Sequence, residues 1–144
     1  MKIFKLTTMA VILFLIAGNF SFAQEMQAEK YENPEWVNIA YIKFKPMKKD
    51  PAMSIVENFF MKADEDAGID APTSYHFAFG KYDMMVIWKM EEGVETLNYK
   101  MTPEDVEWMT SMAKIAGGQE KAMAKLEEFM SYVETWDNAL ARKD

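Results

Sequence analysis

The sequence predicts an α+β domain: a small antiparallel sheet with helices packed on one face, in the order strand, helix, strand, strand, helix, helix. Three observations carry this reading. Ser74 to Met90 (SYHFAFGKYDMMVIWKM) holds two apolar runs alternating with period two on either side of Gly80-Lys81, the pattern of a β-hairpin. Trp36 to Phe44 (WVNIAYIKF) alternates in the same way and supplies a further strand. Asp50-Pro51 and Thr102-Pro103-Glu104-Asp105 each pair a capping side chain with proline in the first turn, and each precedes apolar residues at helical spacing.

Taken in order, the chain begins with a basic start at Lys2 and Lys5. An uninterrupted apolar run, Met9 to Ala17, and the small residues Ser21 and Ala23 follow. This is the pattern of a secretory signal cut after Ala23. The run of about nine residues is too short for the ~20 that a membrane-spanning helix needs. The expected organisation is a signal peptide over 1–23, a polar lead over 24–35 and one α+β domain over 36–144, in a periplasmic or secreted protein. With no cysteine, neither a disulfide nor a thiol-linked lipid is possible, and the core alone must hold the fold, which suits a bacterial periplasm. Loss of Lys2 and Lys5 leaves 14 basic against 23 acidic residues, a net charge of −9. That balance argues against nucleic acid and against anionic membrane surfaces.

In the first strand Val37, Ile39 and Tyr41 share one face and Asn38, Ala40, Ile42 and Phe44 the other, and Pro46 stops it. A helix from Asp50 to Ala67 follows, with Met53, Val56, Phe59, Phe60 and Ala63 on its stripe and Gly68 at its end. Within the hairpin, Tyr75, Phe77 and Phe79 oppose His76 and Ala78. On the return, Tyr82, Met84, Val86, Trp88 and Met90 oppose Asp83, Met85, Ile87 and Lys89. Both faces of that return are apolar, so both are expected to be covered: one by helices, the other by a second copy of the chain or by the terminal helix. Glu91 to Met101 reads as a loop. A second helix carries Val106, Met109, Met112, Ala113 and Ala116 and breaks at Gly117-Gly118. Gln119 to Arg142 keeps apolar residues near helical spacing. A strand could be drawn through Ser131 to Trp136, but the spacing favours helix throughout.

The strand-helix-hairpin order with FGKYDMMVIWK on the hairpin resembles the ferredoxin-like dimeric α+β barrel superfamily, over about Val37 to Ala116. Gly80, Tyr82 and Asp83, leading into an apolar strand, resemble the motif of its GYD-type domains, and Val86-Ile87-Trp88-Lys89 is similar to a strand of the antibiotic-biosynthesis monooxygenases. The resemblance implies a ferredoxin-like β-α-β-β-α-α fold and a homodimer. The helix-rich end after Gly118 departs from the superfamily's closing strand. Haem-degrading members use an asparagine on the first strand, a tryptophan and a histidine; residues of the same types here are Asn38, Trp88 or Trp108, and His76.

Each candidate has a structural reading beside the functional one. His76, the sole histidine, is either a strand residue with a local hydrogen bond or a cavity ligand and proton-transfer group. Asn38 is the odd polar residue on an apolar face and must bond across the sheet or face a ligand. Asp83 reads as a turn-closing carboxylate, and Tyr82 and Trp88 as core before cofactor platform. The 12 methionines left after signal removal could bind Cu(I) but suit core filling better. No triad spacing or phosphate loop is present. The function expected is a non-catalytic exported binding or structural module with an apolar pocket for a small molecule, without cofactor or metal. The alternative is a haem-using or cofactor-independent monooxygenase.

Overall fold

The structure is a computed structural model that describes residues 27–143; the expected signal segment and its cleavage point lie outside the described residues. Strand β1 (Glu35–Phe44) leads into α1 (Lys49–Ile55), which continues through a π-helical turn (Val56–Phe60) into α2 (Met61–Ala67). Gly68, in the left-handed region at φ 68°, ends that helical run. Strands β2 (Thr73–His76) and β3 (Met84–Met90) follow, then a 3-10 turn (Gly93–Asn98) where a loop is expected. Two helices, α3 (Pro103–Ala116) and α4 (Gln119–Tyr132), precede β4 (Val133–Lys143). The start of α3 is a capping box: Thr102 Oγ1 accepts from the Asp105 N–H, and the Asp105 carboxylate accepts from the Thr102 N–H.

The sheet order is β2-β3-β1-β4, every pair antiparallel, which is the ferredoxin-like arrangement. β1 is central, pairing with β3 from Trp36↔Met90 to Ile42↔Met84 and with β4 from Glu35↔Lys143 to Phe44↔Val133. The second half of the last segment is therefore a strand, not the helix its spacing predicts. The cause is a register shift between Lys43 and Phe44. Thr135 pairs with Lys43 while Val133 pairs with Phe44, so Glu134 is the extra residue of a bulge. Val133 and Trp136, three apart, both pack on the helix-covered face, and that imitates a helical step.

The hairpin exists but is more open than its alternation predicts. Strand pairing stops at His76↔Met84. The Phe77 N–H donates to the Asp83 carbonyl at 2.9 Å, and the Asp83 N–H donates to the Ile42 carbonyl at 2.9 Å. Asp83 is thus committed to β1, and residues between it and Phe77 form a loop whose tip leaves Phe79 92% exposed.

Ala40, Ile42 and Phe44 of β1 with Met84 and Val86 of β3 pack under Ala52 and Ile55 of α1 and Phe129 of α4. Phe129 meets Phe44, Phe60 and Trp136 edge-on, at centroid distances of 6.0, 5.3 and 6.4 Å. A smaller core of Ala63, Met112 and Ala122 joins α2, α3 and α4. The terminal helix therefore lies on the same side as α1 and does not cover the opposite face. There Val37, Ile39, Tyr41, Met85 and Ile87 are half-buried, Tyr75 is exposed, and none belongs to the buried core. Because Phe129 is the shared contact of sheet and helices, Phe129→Ala is expected to cost about 3–5 kcal/mol. Urea unfolding followed by circular dichroism should show a lowered midpoint at an unchanged slope.

Candidate functional site

The helices do not close completely on the sheet. Met84, Val86 and Trp88 of β3, Ile42 of β1 and Trp136 of β4 form a floor. Met53, Val56 and Phe60 from the first helical run, Trp108 of α3 and Phe129 of α4 form the walls around a cavity of about 620 Å³. The Gly68 break sends the chain through Ile69 to Pro72 along its mouth, and β2 contributes Ser74 and His76. Trp108 is held edge-on to Phe60 at 5.6 Å, and its indole N–H donates to Asp64 Oδ1 at 2.7 Å. Burial raises the Asp64 pKa above the ordinary carboxylate value, partly offset by this hydrogen bond.

A second hollow of about 860 Å³ adjoins it, lined by Asn38, Asn138 and Leu140 of the sheet and by Leu97 and Tyr99 near the 3-10 turn. Trp88 and Trp136 stack at 6.4 Å and 21° and line both spaces. The six residues singled out in the sequence are thereby separated. His76 and Trp108 line the first cavity, Asn38 the second, and Trp88 both. Tyr82 and Asp83 line neither. Tyr82 lies on the opposite face against Tyr41, at 5.4 Å, and its hydroxyl bonds Asp137. Asp83 fastens the loop: its Oδ2 accepts from the Phe44 N–H at 2.8 Å. Asn38, a tryptophan and His76 do not converge on one cavity, and His76 is exposed.

Sequence reasoning missed Trp136, Phe60 and Phe129 as cavity residues, because each fell on a stripe that reads equally well as core. It missed Asp64 as well, which Trp108 holds half-buried. Met84, Met90 and Met112 are core residues. Among the described residues no group of three His, Cys, Asp or Glu is placed to hold a metal ion, and no helix is long and apolar enough to cross a membrane.

The fold has solved counterparts. Two crystal structures of one Agrobacterium tumefaciens protein, described as a NIPSNAP family protein with unknown function, are similar to this chain with TM-scores of 0.53 and 0.52 at 10% and 11% identity. They cover 76% and 81% of this chain and 93% and 94% of their own. A further NIPSNAP family protein, from A. tumefaciens str. C58, gives 0.50 at 10% identity, covering 74% of this chain and 90% of its own. A dimeric ferredoxin-like protein from an uncultured marine organism gives 0.45 at 8%, covering 76% and 88%. At such identities the likeness is one of fold alone; the ferredoxin-like order itself is given by the β2-β3-β1-β4 antiparallel sheet of this chain. No family model matches the sequence, and no curated protein matches it.

The raised Asp64 pKa has a consequence for stability. An acid whose folded pKa lies above its unfolded one weakens the fold once it ionises. The penalty grows as pH rises from 3.8, the ordinary aspartate value, and is complete above the raised value. Asp64→Asn keeps an acceptor for the Trp108 N–H and removes the charge. It is expected to be more stable than the parent at neutral pH and to lose that advantage below 3.8 in thermal melts across pH.

Proposed function

We propose that this chain is an exported, non-catalytic binding module that takes an apolar small molecule between its sheet and its helices. The observation that carries the reading is the 620 Å³ cavity with its floor of Ile42, Met84, Val86, Trp88 and Trp136. Ligand sites are typically concave, mostly apolar and furnished with a few placed polar groups, in the range of about 300–1,000 Å³. The non-catalytic part is supported by the separation of Asn38 from His76, which leaves the sole imidazole without an amide partner in its cavity. Export rests on the basic start, the apolar run and the small residues before position 24.

A homodimer belongs to the same proposal. The face bearing Val37, Ile39, Tyr41, Met85 and Ile87 is apolar across the two central strands, and a second copy presenting the same face would bury both by a two-fold contact.

Titration with the neutral fluorophore N-phenylnaphthylamine tests the pocket. Saturable, one-to-one enhancement with quenching of the tryptophans is expected, and Val56→Trp, which fills the cavity, should weaken it. Absence of saturable binding overturns the reading. Light scattering tests the dimer: the parent should run at twice the chain mass and Ile39→Lys/Ile87→Lys as a monomer, whereas a monomeric parent removes the dimer.

A further inference from the structure

The ionisable groups around the first cavity are nearly all of one sign. Among the described residues Glu57, Asp64, Asp70, Glu104 and Asp105 line it, no lysine or arginine does, and His76 is the one nitrogen base. They come from four separate places: the π-helical turn, α2, the segment after Gly68 and the first turn of α3. Asp64 is occupied by Trp108, and Asp105 closes the Thr102 capping box. Glu57 and Glu104 have no hydrogen bond or ion pair among the described residues, and Asp70 has only a long-range influence from Lys89. Within the same cavity stand the stacked Trp88–Trp136 pair and the Trp108–Phe60 pair.

A concave aromatic site selects apolar bodies of any charge; the sign of its rim decides among them. Indole faces attract cations through their quadrupole, and low-dielectric walls concentrate the field of the carboxylates at the mouth. A ligand bearing a carboxylate or phosphate would meet like charge, with His76 alone among the lining residues as a nitrogen base to receive it.

Resting on the pocket reading above, we propose that the cavity selects organic cations: an aromatic or apolar body carrying a protonated amine or quaternary ammonium group. The body stacks on the Trp88–Trp136 floor and the ammonium sits toward Glu57, Asp70 and Glu104. This assignment disfavours dianionic tetrapyrroles, whose two carboxylates find no lysine or arginine there.

Calorimetric titration of the mature protein with three probes sharing one ring system tests this: naphthylmethylamine, naphthylmethanol and naphthylacetate. The ammonium is expected to bind about tenfold tighter than the alcohol, with the carboxylate weakest. That preference should shrink in about 0.5 M salt, which screens exposed charges. It should also shrink in the triple variant Glu57→Gln/Asp70→Asn/Glu104→Gln, whose sites are exposed and whose affinity for the alcohol should be unchanged. Equal binding of the three probes, or tightest binding of the carboxylate, overturns the charge assignment and leaves the pocket standing. Failure of all three to bind overturns both.

Discussion

The structure depends on β1 being hydrogen-bonded on both edges. A strand paired on both sides cannot shift register without turning its side chains over. In β1 such a slip would carry Ala40, Ile42 and Phe44 out of the core and bring Val37, Ile39 and Tyr41 in. The bulge at Glu134 and the two bonds from Asp83 to Ile42 and Phe44 fix the end of β1 where the helices begin. From that end the chain turns into α1, and from it Lys45 donates its N–H to the Tyr132 carbonyl at 2.9 Å, tying the close of α4 to the same corner.

The start of α1 and the close of α4 thus lie at one corner, where Phe44 meets Phe129 at 6.0 Å. Trp88 and Trp136 stack on one another, and both hollows open beside them. The one-sided helical layer also leaves the second sheet face without cover from the core helices. Two apolar surfaces result, one concave and lined in part by acids, the other spread across the two central strands.

The cavity was half legible. Trp88, His76 and Trp108 could be singled out because the chain has only four tryptophans and one histidine, yet nothing local revealed that Asn38 would be parted from His76 by the stacked tryptophans. Asp83 was read as a turn residue and does close the loop, but through the backbone of β1, thirty-nine positions away. Trp136 was unreadable as a floor residue for a specific reason: the bulge made its spacing from Val133 helical, and no residue type nearby marks the bulge.

By itself the sequence determined the α+β class, the capped helix start at Thr102-Pro103, the strand of Trp36 to Phe44 and the apolar return of the hairpin, since each is written in contacts among near neighbours. It placed the first helix within a residue but not its cap, because Asp50 lies in the first turn behind Lys48, which makes no side-chain cap bond. Tertiary structure alone decided that a fourth strand follows the terminal helix, that this helix sits on the already covered face, and that acidic residues of four segments line one cavity. Those outcomes depend on pairings between residues 42 (Ile42↔Met84) to 108 (Glu35↔Lys143) positions apart, where local propensity is weak and burial of a whole face chooses between alternatives that a short window scores alike.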